Sequence, residues 1–90
     1  MPIEFIGTVV SVNGETIYQR VAGTIFLHDH GTSQSWDGIL TIESGEPPSM
    51  FRGIIVTDTG GRGEAVARRF PFGSDTIEFA GTGNPPIDKP

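Results

Sequence analysis

A short glycine-containing unit recurs along the chain and constrains its fold more than any other feature. The unit is an apolar residue, a spacer, a glycine, a threonine or isoleucine, and an aliphatic residue. Clear copies occupy residues 5–9, 21–25, 36–40 and 51–55, and degenerate copies occupy 66–68 and 79–82. The central positions 7, 23, 38, 53, 67 and 81 are 16, 15, 15, 14 and 14 residues apart. Each interval fits one strand and one turn, which predicts six strands.

Glycine in the middle of a strand has a structural meaning. It adds no packing and costs conformational entropy, so it usually marks a bend or the close approach of another backbone. Small residues at mid-strand suit a tightly curved sheet. We therefore predict an all-β fold, a six-stranded antiparallel up-and-down meander that forms a small barrel or a flattened sandwich, with a glycine at the middle of most strands.

The first hairpin and the fifth strand each raise a question of register. Asn13-Gly14 is a strong hairpin signal, and a three-residue connection with Gly14 in the left-handed region would pair Val9 with Ile17. Simple alternation then places Tyr18 on the outer face. The alternate faces of the fifth strand are Ala65, Ala67, Arg69 and Val66, Arg68, Phe70, and a bulge is expected to shift the second set inward.

Length and composition narrow the range of functions. Ninety residues make one domain, predicted over 1–82, and the Pro-rich residues 83–90 are predicted to be an extended or disordered tail. The absence of cysteine excludes disulfides and thiolate metal sites. A net charge of −5 with only 6 basic residues argues against nucleic-acid binding. No apolar run is long enough to cross a membrane, so the prediction is a soluble, cytoplasmic, acidic protein without a cofactor.

The outer face of the predicted sheet is unusually apolar. Alternation places five large aliphatic or aromatic residues there, namely Ile6, Phe26, Ile39, Ile54 and Val56. A solvated sheet face is normally mainly polar. A small domain also buries a limited fraction of its surface, so we expect a second copy of the chain to cover this face. The predicted partner is therefore another subunit of a homo-oligomer.

The inner face suggests an alternative partner. Trp36, Leu40, Phe51 and Phe79 alternate inward and could line a small apolar cavity. Six strands leave little internal space, because even about eight give a lumen only just filled by side chains. A small apolar ligand is thus the second hypothesis.

Polar residues gather at one end of the predicted meander. Alternate connections lie at the same end, so the loops at 29–35 and 58–63 lie near the N-terminus. His28 and His30 are two residues apart on an extended backbone and could share a metal ion with Asp58 or Glu64 as third ligand. Two histidines and one carboxylate with an open position would suit a metal-dependent hydrolase.

The six residues 55–60 resemble the Asp-Thr-Gly signature of aspartic proteases. The resemblance implies that Asp58 would pair with its equivalent in a second chain, because two close carboxylates share one proton. The chain after Asp58 is too short for the flap and the later apolar-apolar-Gly segment of that family. The preferred interpretation is a turn begun by Asp58, with Gly60 and Gly61 supplying positive φ.

Three function classes follow from these observations. The first is a non-enzymatic small β-barrel binding and assembly module that self-associates. The second is a small apolar-ligand-binding barrel, and the third is a metal-dependent or acid-base hydrolase using the end that carries His28 and Asp58. The binding and assembly module is the preferred class, so we expect that the protein is not an enzyme.

Overall fold

A computed structural model describes residues 2–31, 34–71, 73–83 and 85–86. These residues form a closed antiparallel barrel whose strands follow the order β1-β2-β3-β6-β5-β4. The strands are β1 (Pro2–Ser11), β2 (Thr16–Asp29), β3 (Gln34–Ile42), β4 (Arg52–Thr57), β5 (Arg62–Arg69) and β6 (Thr76–Gly81). The predicted all-β antiparallel fold is confirmed, and of the two predicted forms, barrel or flattened sandwich, the structure is the barrel. The described residues include no helix with the length and hydropathy needed to span a bilayer.

The barrel consists of two three-stranded meanders. β1, β2 and β3 pair in succession, as do β4, β5 and β6. The halves join where β3 pairs with β6 and β1 pairs with β4. In a simple succession β4 would lie beside β3; here the connection over 43–51 instead crosses one end of the barrel. Every pairing is antiparallel, so alternate connections still lie at the same end, as predicted.

Strict alternation of side chains builds the core. Odd positions of β1, β4 and β5 and of the second half of β2 point inward, as do even positions of β3. The buried apolar residues are Phe5, Val9, Tyr18, Val21, Ile25, Trp36, Leu40, Ile42, Phe51, Ile55, Ala65, Ala67, Ile77 and Phe79. The Phe79 ring meets Trp36 and Phe5 edge-on, at centroid distances of 6.0 and 6.4 Å. Aromatic pairs favour this geometry, so Phe79 joins Trp36 and Phe5 within the core.

Two glycines show why mid-strand positions must be small. A Cβ at Gly23 would lie 2.8 Å from the Cα of Leu40, and one at Gly38 would lie 2.8 Å from Cζ of Phe79. Both are shorter than normal contacts, and both would also meet a carbonyl oxygen of the neighbouring strand. Glycine therefore allows the curved backbone and the Phe79 ring to approach closely.

The β1–β2 hairpin has the predicted turn but a different register beyond it. Ser11 N–H donates to Glu15 O at 2.7 Å, and Gly14 has φ of 95°, which confirms the three-residue connection. Register shifts on either side of Val9 then pair Val9 with Tyr18. Tyr18 is only 1% exposed, so its predicted outer position is wrong. The extra residues in β2 rotate its ring inward.

A bulge is present in β5, but it does not turn the whole predicted set inward, because Ala65 and Ala67 remain buried while Val66 is half-buried and Arg68 is exposed. Ala67 pairs with Phe79 and Arg69 pairs with Glu78, with a register shift between the two pairs. Arg69 is therefore on the outer face, where its Nε lies 3.0 Å from Oε2 of Glu78. Phe70 packs half-buried against the core.

Candidate functional site

The first half of β1 projects beyond its neighbour β4. β1 pairs with β2 from Pro2 onward but pairs with β4 only from Gly7 to Ser11. The last contact on that side is the Asp58 N–H, which donates to Ile6 O at 2.8 Å. Within the described chain, residues 2–6 thus have a strand neighbour on one side only. We call this segment the open edge.

The open edge exposes backbone hydrogen-bonding groups. The N–H and C=O of one strand residue point to the same side, and this side alternates along the strand. The Ile6 carbonyl faces β4, so both backbone groups of Glu4 face the same direction. Among the described residues no strand lies there to pair with them. Such an edge can accept an additional strand.

A groove of about 940 Å³ runs around the open edge. Its walls come from β1, from the outer side of β2 and from the turn after β4. The lining residues are Ile3, Glu4, Phe5, Ile6, Ala22, Gly23, Thr24, Thr57, Asp58, Thr59 and Pro86. Only Glu4 and Asp58 of these are charged, and both are acidic. The groove is therefore an apolar cleft with an acidic rim.

The turn after β4 forms one wall of the groove. Gly61 N–H donates to the buried Thr57 Oγ1 at 3.0 Å, and Gly60 N–H donates to Thr57 O at 2.9 Å. Gly60 has φ of 95°, a value that favours glycine. These bonds confirm that Asp58 begins a turn, and its side chain is exposed at the tip. The predicted positive φ occurs at Gly60 but not at Gly61.

Pro86 lies at the base of the groove. It is fully buried, and a Cβ at Gly63 would meet its ring. Upstream, the Trp36 indole N–H donates to Gly83 O at 2.7 Å and holds the chain after β6. In the predicted tail, Gly83 is therefore held through its carbonyl and Pro86 through its buried ring, and Pro85 is half-buried, while 84 and 87–90 lie outside the described residues.

The two histidines have separate partners. His28 Nε2 lies 3.1 Å from Asp37 Oδ1, and His30 Nε2 lies 2.8 Å from Ser35 Oγ. The described residues contain no group of three or more His, Cys, Asp or Glu side chains placed to hold a metal ion. The structure thus does not bring His28, His30 and Asp58 together as one set of ligands.

The residues predicted to line an apolar cavity lie in the core. Trp36, Leu40, Phe51 and Phe79 are 3%, 0%, 8% and 1% exposed. The Phe51 ring meets Tyr18 edge-on at 5.8 Å, and Trp36 contacts Phe79 in the same way. These side chains pack on core neighbours and are not among the residues that line the groove.

The predicted interface residues all lie on the outer face. Ile6, Phe26 and Ile39 are 41%, 37% and 42% exposed. Ile54 and Val56 are half-buried, opposite Glu64 and Arg62 of β5. Ile39 lies opposite Thr24 and so diagonal to Phe26. These two side chains border a shallow depression of about 210 Å³. We call Ile6, Phe26 and Ile39 the outer patch.

Sequence reasoning did not identify the open edge. A signal was present, because the hydrophobic pattern gives the first two strands more residues than the fourth. A long strand beside a short one must project past it, since each residue of a strand advances about 3.3 Å. The missing information was that β4, and not β6, lies beside β1.

Comparison with known proteins identifies no relative. The chain matches no protein-family model, and no curated protein or solved structure is detectably similar to it.

Proposed function

We propose that the chain is a non-enzymatic binding and assembly module that self-associates through the outer patch. The observation that carries this proposal is the exposure of Ile6, Phe26 and Ile39 on three successive strands of one face. Burial of apolar surface contributes about 25 cal/mol per Å², which is a significant gain for a domain with one small core.

The surroundings of the patch suit a protein interface. Asp37, Arg68 and Glu78 border the same depression as Phe26 and Ile39. An apolar centre with a polar, charged rim is the usual arrangement of protein interfaces. The two alternative functions receive less support, because the aromatic residues of the interior pack on one another and the histidines bind Asp37 and Ser35.

Sedimentation velocity tests the proposal from nanomolar to high-micromolar protein concentration. We expect a reversible dimer or higher oligomer. We expect Ile39→Glu to raise its dissociation constant about tenfold or more, a change that corresponds to about 1.4 kcal/mol of binding free energy. Val12→Glu is the matched control, because Val12 is 61% exposed in the hairpin turn, away from the patch. A wild-type monomer at all concentrations would contradict the proposal, as would equal effects of the two variants.

A further inference from the structure

We propose that the open edge of β1 binds an extended peptide segment that alternates apolar and basic residues. This inference concerns a different partner from the self-association described above, and its surface shares only Ile6 with the outer patch. It rests on three properties of the edge, namely backbone groups that no described strand pairs with, its apolar groove and its acidic rim.

The backbone of the edge supplies the pairing. Glu4 presents its N–H and C=O toward the groove, and Ile6 presents its N–H beside the carbonyl that already accepts from Asp58. An added strand would exchange hydrogen bonds with these groups and extend the β1–β2 sheet. Backbone bonds of this kind provide affinity in strand addition, while side-chain positions provide specificity.

The two faces of the edge define the side chains of the partner. Ile3 and Phe5 point to the inner side, where Thr57 and Pro86 complete an apolar wall. Glu4 points to the outer side. Directly opposed side chains on paired strands lie about 5 Å apart, so a partner residue opposite Glu4 would be close to its carboxylate. Alternate residues would then be apolar toward the groove and basic toward Glu4 and Asp58.

Charge argues against a second copy of β1 as the occupant. Antiparallel pairing of two open edges, with Pro2 opposite Ile6 of the other copy, places the two Glu4 residues opposite each other. Like charges directly opposed across strands are destabilising. A lysine or arginine at that position would instead form an ion pair with Glu4, and among the described residues no cationic side chain lines the groove to oppose it.

Binding of synthetic peptides tests this proposal. The probe is a capped octapeptide of alternating valine and lysine, and the matched control alternates valine and glutamate. We expect the lysine peptide to shift the ¹⁵N–¹H signals of Glu4 and Ile6 and to slow exchange of the Glu4 amide. Its affinity should exceed that of the glutamate peptide by about tenfold or more, equivalent to about 1.4 kcal/mol. A lysine peptide N-methylated at two adjacent central residues should lose binding, because it cannot complete the ladder.

Charge reversal on the protein gives a second, independent readout. Glu4→Lys should reverse the preference between the two peptides, while Glu15→Lys, at the opposite end of the barrel, should leave it unchanged. Failure of the lysine peptide to bind, equal binding of the N-methylated peptide, or signal shifts confined to Phe26 and Ile39 would overturn the proposal. Ile39→Glu separates it from the proposed self-association, because that variant should lose the oligomer and retain peptide binding.

Discussion

The side chain of Tyr18 and the backbone of Ser49 hold the crossing connection against the end of the barrel. Ser49 N–H donates to Tyr18 Oη at 2.9 Å, and Tyr18 Oη lies 3.2 Å from Ser49 O, to which it can donate. Elsewhere in the crossing segment over 43–51, Glu43 N–H donates to Arg20 O at 2.9 Å and Phe51 O accepts from Ala67 N–H at 2.8 Å. The two prolines between them have no N–H to donate. The inward rotation of Tyr18 thus fixes the connection between the two halves of the barrel.

Removing the Tyr18 hydroxyl should destabilise the protein while leaving the core packed. In Tyr18→Phe the ring remains buried, but the Ser49 N–H loses its acceptor. We expect the free energy of unfolding to fall by about 0.5–1.5 kcal/mol, as for an ordinary lost hydrogen bond, because Ser49 is exposed and its N–H can bond water. Urea denaturation measures this change. Ser49→Ala removes only the serine hydroxyl and should cost less; equal stability of Tyr18→Phe and wild type would contradict the assigned role.

The sequence predicted the turn of the β1–β2 hairpin but not the position of Tyr18. Alternation identifies the inner residues wherever the strand keeps a period of two, as it does for Trp36, Leu40 and Ile55. A bulge changes the face of every residue beyond it, and the pattern around Gln19 and Arg20 does not mark where the extra residues lie. The fold class was predictable for this reason, while the register near Tyr18 was not.

Gly81 is packed directly against the Trp36 indole, so even a methyl group should not fit there. A Cβ at Gly81 would overlap the ring, whereas a Cβ at Gly83 would meet no atom within 4 Å. We expect Gly81→Ala to lower the free energy of unfolding by about 1–3 kcal/mol through overpacking. Gly83→Ala, which keeps the carbonyl that binds Trp36, should remain within about 0.5 kcal/mol of wild type.

Trp36 also reports this change directly, because it is the protein's one tryptophan. Displacement of the ring in Gly81→Ala should shift its fluorescence emission toward longer wavelength, and Gly83→Ala should not. Indistinguishable unfolding curves and spectra for the two variants would contradict the close packing of Gly81 on the indole.

The candidate site was less predictable than the core. The sequence did predict that the 58–63 loop lies at the same end of the barrel as the N-terminus. This followed only from the rule that successive antiparallel strands place alternate connections at the same end. The open edge depends on the pairing of β1 with β4, which is a long-range choice between two barrel closures that local residue patterns do not distinguish. The groove also requires Pro86 at its base, a packed position in a segment whose composition suggested a tail.

Glu46 makes the crossing connection sensitive to acid. Its hydrogen bond with Ser44, together with the Gln19 N–H that donates to Oε2 at 3.0 Å, lowers the pKa of this carboxyl below its usual value of 4.5. A lowered folded-state pKa contributes stability above the unfolded pKa, and this contribution is lost as the pH falls through the folded pKa. Glu46→Gln should therefore be less stable than the wild type at neutral pH. It should also lose less of its free energy of unfolding than the wild type does when the pH is lowered.

Urea denaturation at pH 7 and at several values below pH 4.5 measures this difference. Glu15→Gln is the control, because no hydrogen bond to the Glu15 carboxylate occurs within the described part of the chain. The wild type and Glu46→Gln should differ most at neutral pH and converge in acid. A difference between them that stays constant with pH would contradict a role for the ionised carboxylate.

Pro86 should stabilise the barrel through burial and not only by stiffening the chain. Its side chain is fully buried beside Gly63, whereas Pro71 lies exposed after β5. Pro86→Ala removes two buried methylene groups, each contributing about 0.8 kcal/mol. It also adds freedom to the unfolded chain, which costs about 0.4–1 kcal/mol. Pro71→Ala should show only the second effect, so urea denaturation should separate the two variants by about 1.5 kcal/mol. Equal stabilities of the two variants would contradict the packing of Pro86 at the base of the groove, and with it the apolar wall assigned to the side of Phe5.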